Sequence, residues 1–223
     1  MSGPGAAPRR RRIVLLRHGR TGDNASGRIQ GQLDTPLDAT GRAQAAAVAP
    51  LLAAARPVVL LSSDLRRAAD TAAPLAQAGG LVVRTDPRLR ELDLGAWQGL
   101  TVAQARERFP EEHAAWRSGV DIPRGGGETY RQAGERAVAC ITEGLADVPP
   151  GAVLIAVTHG GTARGALCRL LEVDPPQWWR FGGLGNTCWT VVAEHPNGWR
   201  LEQHGAGPVA LAEPESWAAA AGL

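Results

Sequence analysis

The chain has 223 residues, 44% of them hydrophobic, enough apolar material for one sizeable buried core. The formal net charge of +2 rests on Arg9–Arg12, and the remainder holds 20 basic against 22 acidic residues, which excludes a nucleic-acid-binding surface by composition. No apolar run reaches the length of a membrane span, and the one behind the arginines, Ile13–Leu16, is too short for a secretory or twin-arginine signal.

Residues 1–12 are expected to form a disordered, solvated basic segment, because Gly3-Pro4-Gly5-Ala6-Ala7-Pro8 precedes the arginines. Residues 13–210 read as one domain and 211–223 as a tail. Ile13–Leu16 predicts a buried strand, and Gly41–Ala55 a helix capped by Thr40. Val58–Leu61 predicts a second strand. A helix follows over Asp64–Ala78, with Pro74 inside it removing a hydrogen bond. Leu81–Arg84 predicts a third strand and Thr101–Phe109 a helix capped by Thr101. A polar segment runs through Pro110 to Arg124-Gly125-Gly126-Gly127, before a long helix over Thr129–Asp147. Val153–Val157 predicts a fourth strand and Thr162–Leu171 the helix after it. Cys188–Glu194 and Trp199–Gln203 close the chain as an antiparallel pair around Pro196-Asn197-Gly198. This alternation predicts an α/β fold, a three-layer α/β/α sandwich with a mostly parallel central sheet.

The three cysteines, Cys140, Cys168 and Cys188, are odd in number and widely spaced. They predict neither a disulfide framework nor a zinc site, and they fit a reducing, cytoplasmic compartment.

The chemistry gathers at strand ends, where open α/β sheets bind ligands. Arg17-His18-Gly19-Arg20-Thr21, with Asn24, follows the first strand, and Thr158-His159-Gly160-Gly161 follows the fourth. A neutral imidazole is a good nucleophile towards phosphorus. Gly19 is expected to let backbone and phosphate approach closely, while Arg17 and Asn24 supply donors. Ser63-Asp64-Leu65-Arg66-Arg67-Ala68 brings guanidinium to the same edge. Arg90-Glu91 places a carboxyl group beside a tight, aromatic-bearing loop, although Glu91 alone also reads as a helix-cap partner. The His159 segment opens a helix whose first amides suit an anion. Gly31 to Leu37 reads as a polar loop bordering the pocket. His113, His195, His204 and the seven tryptophans read as packing residues.

Arg17-His18-Gly-x-Thr21 with Asn24, then Leu65-x-Arg67-Ala68, Arg90-Glu91 and Thr158-His159-Gly160, in this order, resemble the histidine phosphatase superfamily, also called phosphoglycerate-mutase-like. The likeness spans roughly Ile13 to Gln203. It implies that His18 is the phosphorylated nucleophile. Arg17, Arg67 and His159 would form the charged phosphate pocket, with Asn24 completing it and Thr21 and Gly160 beside it. Glu91 would act as general acid and then as base, and Arg66 would be spare. Two guanidinium groups and a second histidine supply the charge that Mg²⁺ supplies elsewhere, so neither metal nor other cofactor is expected.

Mutases of this superfamily follow the acid with an Arg-His-Tyr-like segment and carry a basic insertion. Here Leu92-Asp93-Leu94 follows Glu91, Asp93 would repel an anion if it faced the pocket, and Phe109–Arg124 is not notably basic. These departures favour a phosphatase over a mutase. Longer runs, Arg28-Ile-Gln30-Gly31-Gln-Leu-Asp34-Thr, Trp97-Gln-Gly-Leu-Thr101 and Gly182-Gly-x-Gly-Asn186-x-x-Trp189-Thr190, resemble the actinobacterial glucosyl-3-phosphoglycerate phosphatases. That likeness implies substrate contacts at Gln30 and Gly31. A broad-specificity phosphatase of sugar phosphates or phosphoproteins is the alternative. The expected partner is a small phosphorylated metabolite, with no nucleic acid and no membrane, and the fold's relatives suggest a homodimer.

Overall fold

The computed structural model describes residues 10–208, so most of the expected basic segment and all of 211–223 lie outside the described residues. Strand β1 (Arg12–Arg17) is followed by a short helix α1 (Gly22–Ala25) and by α2 (Ala39–Ala53). Then come β2 (Pro57–Ser62), α3 (Arg66–Gly79) and β3 (Val83–Thr85). An excursion carries α4 (Val102–Arg108) and α5 (Pro110–Arg117), before α6 (Tyr130–Leu145). The chain ends with β4 (Val153–Thr158), α7 (Gly160–Leu170) and the hairpin β5 (Trp189–His195) and β6 (Gly198–Ala206).

The six strands lie in the order β3-β2-β4-β1-β5-β6. The β3-β2, β2-β4 and β4-β1 pairs are parallel, and β5 and β6 join antiparallel at one edge. Side chains alternate across the two faces, as a pleated strand requires. Ile13, Leu15, Leu154 and Ala156 pack with Ile141 of α6 and Leu167 of α7. Val14, Leu16, Ile155 and Val157 pack with Val48 of α2 and Leu75 of α3 on the other face. The fold is therefore the expected α/β/α sandwich. A third apolar cluster around Trp97, Leu92 and Leu94 anchors the α4–α5 excursion beside the sheet's carboxyl edge.

Several local expectations are corrected. Arg11 and Arg12 are not a solvated tail: Arg12 begins β1, and the two ion-pair with Glu194 at 2.6 Å and Glu202 at 2.8 Å. Asp38, not Thr40, caps α2, its carboxylate accepting the Gly41 N–H at 2.7 Å. The polar segment after Pro110 opens as helix α5. Gly19 has a packing role that the sequence did not show, since a Cβ there would lie 2.5 Å from the Gly41 carbonyl oxygen.

Candidate active site

Strands β1 and β4 are neighbours in parallel register, with Arg17 opposite Thr158, so His18 and His159 leave the sheet at one edge. The His18 amide donates to the Thr158 carbonyl at 3.0 Å, and the two imidazole centroids lie 5.0 Å apart. His18 Nδ1 sits 2.7 Å from the Gly19 carbonyl oxygen. A carbonyl only accepts, so Nδ1 carries the proton and the lone pair lies on Nε2. Burial, then the charges of Arg67 and Arg17, hold this imidazole well below its ordinary pKa, with the Gly19 bond opposing them. His18 is therefore neutral at physiological pH, with Nε2 available as a nucleophile.

Arg67 is fully buried at the start of α3, whereas Arg66 points to solvent. Its Nε–H donates to His159 Nδ1 at 3.2 Å, and its two Nη groups donate to the carbonyls of Leu33 and Gly31 at 2.6 and 2.8 Å. Burial lowers its pKa to about 10, which leaves it charged at neutral pH. His159 is buried and, through burial and then Arg67, is also held neutral. Arg17 donates to the Leu184 carbonyl, while its Nε is buried without a partner, as is His159 Nε2.

Glu91 reaches the N-terminus of α7 across the chain. Its Oε2 accepts from the Gly161 amide at 3.0 Å, and its Oε1 from the amides of Thr162 and Leu92 at 2.9 and 3.0 Å. The helix-cap reading and the active-site reading of Glu91 are thus compatible, since its carboxylate satisfies the helix's first amides and also lines the cleft.

An open cleft of about 860 Å³ is lined by Arg17, His18, Asn24, Gln30, Gly31, Arg67, Glu91 and Gly160, eight of the ten residues singled out from sequence. His159 stands behind this wall. Thr21 is also off the wall and acts on the loop: it caps α1 and its hydroxyl donates to the Gln30 side chain at 3.0 Å. Asn186, present in the sequence motif but without a role there, donates from Nδ2 to the His18 carbonyl and to Asn24 Oδ1 at 3.0 and 3.1 Å. That bond leaves the Asn24 amide nitrogen to face the cleft.

Sequence reasoning missed the far wall. Arg124, Arg164, Trp97, Trp116 and Tyr130 all line the same cleft. One sequence argument against a mutase therefore lapses, because Asp93 does not line the cleft, while Phe109–Arg124, with two arginines against three acidic residues, brings one cation, Arg124, to its wall. Asp93 instead accepts the Gly95 amide at 2.8 Å, closing its own turn.

The family model of the histidine phosphatase superfamily (branch 1) matches residues 13–206. A glucosyl-3-phosphoglycerate phosphatase of Mycobacterium tuberculosis (strain ATCC 25618 / H37Rv) is 42% identical over 194 residues, covering 84% of this chain and 87% of the relative. A metal-independent phosphoserine phosphatase of Arabidopsis thaliana is 41% identical over 195 residues, 85% of this chain and 79% of the relative. Among solved structures, a mycobacterial glucosyl-3-phosphoglycerate phosphatase complexed with VO3 superposes with a TM-score of 0.83 at 42% identity, covering 88% of this chain and 100% of that one.

Proposed function

The chain belongs to the histidine phosphatase superfamily, and from that premise we propose that it hydrolyses small phosphomonoesters through a phosphohistidine at His18, without a metal ion. The observation that carries the reading is the neutral His18 with its Nε2 lone pair free, set between Arg17, Arg67 and His159. In the first step Nε2 attacks phosphorus, the P–O ester bond breaks, and Glu91 in its acid form protonates the leaving oxygen. In the second, the Glu91 carboxylate takes a proton from water, the water oxygen bonds to phosphorus, and the N–P bond breaks. Phosphate leaves and His18 is neutral again. Arg17, Arg67 and the Nε2–H of His159 neutralise charge on the equatorial oxygens, and the Asn24 amide and Gln30 hold the ester's flank.

Glucosyl-3-phosphoglycerate is the substrate we propose, on the likeness to the mycobacterial phosphatases of that name. The three cysteines are buried and unpaired, which supports a cytoplasmic site of action. A homodimer, expected from the fold's relatives, is checked by sedimentation of the purified chain. The test of the function is phosphate release with EDTA present, across glucosyl-3-phosphoglycerate, other sugar phosphates and a phosphotyrosine peptide. A marked preference for glucosyl-3-phosphoglycerate supports the assignment, a flat profile reduces it to a broad-specificity phosphatase, and no release refutes the reading.

A further inference from the structure

Glu91 has to keep one place through two proton transfers, yet residues 90–94, which carry it, are neither helix nor strand. On the apolar side the segment is moored by the buried side chains of Leu89, Leu92 and Leu94. Its carbonyls are held by side chains rather than by a ladder. The carbonyl of Leu89 accepts from the Thr158 hydroxyl at 2.7 Å and that of Arg90 from the Thr162 hydroxyl at 2.8 Å. The carbonyl of Glu91 accepts from the Gln32 side-chain amide at 3.2 Å.

The largest share of this hold falls to Arg136 of α6, which does not line the cleft and has no part in the mechanism above. Its Nη1 donates to the carbonyls of Arg88 and Arg90 at 2.7 and 2.8 Å, and its Nη2 to that of Glu91 at 2.9 Å. The Glu128 carboxylate accepts from Nε and Nη2 at 2.9 and 2.8 Å. All five N–H donors of the guanidinium are thereby in use. Glu128 is tied to the same segment: its Oε2 accepts the Asp93 amide at 2.9 Å, and its own amide donates to the Asp93 carbonyl at 2.8 Å. Burial raises the pKa of Glu128, but the bonds from Arg136 and Asp93 outweigh it and hold the carboxyl below its ordinary range. The pair is therefore charged at neutral pH, and with side chains 19% and 25% exposed it is little screened by salt.

Glu91 is thus held at both ends. The amides of Gly161 and Thr162 on α7 hold its carboxyl group, and Arg136 on α6 holds its backbone. The two helices meet closely, since a Cβ at Gly134 would lie 2.5 Å from the Gly165 carbonyl oxygen, and they form one frame around the acid. We propose that Arg136, fixed by Glu128, is a positioning residue for the general acid, setting the place of the Glu91 carboxyl group against the leaving oxygen. The inference rests on the phosphatase reading above and adds to it a residue that touches no substrate. A displacement of about 1 Å at a reacting group can cost on the order of 100-fold in rate, so a backbone clamp can govern proton transfer from outside the cleft.

The test is a double-mutant cycle between positions 136 and 91, read as kcat/KM on phenyl phosphate and p-nitrophenyl phosphate. The two esters are close in shape, but the phenolate leaving group needs a proton far more than p-nitrophenolate does. Arg136→Lys keeps the charge but cannot reach three carbonyls and Glu128 together. It should lower the phenyl phosphate value by roughly tenfold and the p-nitrophenyl phosphate value far less. In the Glu91→Gln background the same substitution should add little on either ester, because the acid it places is gone. Glu128→Gln, which weakens the hold on Arg136, should give the same pattern on a smaller scale, and it carries the comparison if Arg136→Lys fails to fold. Wild-type rates in both variants, an equal loss on the two esters, or a full further loss in the Glu91→Gln background overturns the positioning role alone. If Glu91→Gln itself slows both esters equally, the acid role of Glu91 falls and the positioning role with it. No hydrolysis of p-nitrophenyl phosphate by the wild-type chain overturns the phosphatase reading as a whole.

Discussion

Arg67 donates its Nε–H to Nδ1 of His159 over 3.2 Å, and this bond sets the proton of the neutral imidazole on Nε2. A guanidinium has no acceptor atom, so no other tautomer of a neutral His159 satisfies the pair. One arginine therefore orients the second histidine, ties down the Gly31–Leu33 loop through two carbonyls, and contributes charge to the cleft.

Because Arg67 has these three tasks, Arg67→Ala should lower kcat/KM by at least roughly 100-fold, by analogy with the loss of an oxyanion donor at about 3 kcal/mol. Arg67→Lys should restore little of it, since an ammonium cannot span His159, Gly31 and Leu33 together. Steady-state kinetics on p-nitrophenyl phosphate decide the matter, and a lysine variant with near wild-type activity would reduce Arg67 to a simple point charge.

Replacing Glu91 separates chemistry from capping. Glu91→Gln should slow esters with poor leaving groups, such as glycerol phosphate, far more than p-nitrophenyl phosphate, whose leaving group needs little protonation. Glu91→Ala should in addition lower stability by about 1 kcal/mol, the usual scale for a lost helix N-cap. Equal slowing of both esters would remove Glu91 from the acid role.

Gly161→Ala tests how closely α7 must approach that carboxylate. A Cβ at position 161 would lie 2.8 Å from Glu91 Oε1 and 2.7 Å from Leu92 Cδ1. The substitution should displace Glu91 and copy its leaving-group signature. Gly160→Ala should be milder, because a Cβ there meets Arg17 only at 3.6 Å. Matched kinetics of the two variants check this, and a harsher effect at 160 than at 161 would contradict the packing argument.

Two buried imidazoles make stability depend on pH with a definite sign. His18 and His159 stay neutral in the folded protein well below 6.5, whereas the unfolded chain protonates them near 6.5. Below about pH 6.5 the unfolded state binds more protons, so stability falls as pH falls. The urea midpoint should be lower at pH 5.5 than at pH 7.5, and His159→Gln should reduce that difference. A midpoint that rises on acidification would show that these imidazoles are charged in the fold.

The parallel sheet and the residues at its carboxyl edge were legible because both are local. Ile13–Leu16 and Val153–Val157 are short apolar runs that each end in a histidine and glycine, and the fold places the two runs side by side. Helix α5 was missed although Pro110 at its first position, with Glu111 and Glu112 after it, carries a helix-start signature. Arg124 and Arg164 were not legible as cleft residues. Their positions depend on how Trp97, Trp116 and Tyr130 pack the third apolar cluster beside the sheet, a long-range outcome with no spacing signal. The packing of Gly19 was not legible for a similar reason, since its close neighbour is the backbone of Gly41, 22 residues on.

The central claim is that His18 carries the phosphoryl group, and rapid acid-free quenching with a ³²P-labelled ester tests it most directly. The wild-type chain should trap one label that survives alkali and is lost in acid, as a phosphohistidine is, and His18→Asn should trap none. A label that resists acid, or one that persists in His18→Asn, would contradict the account.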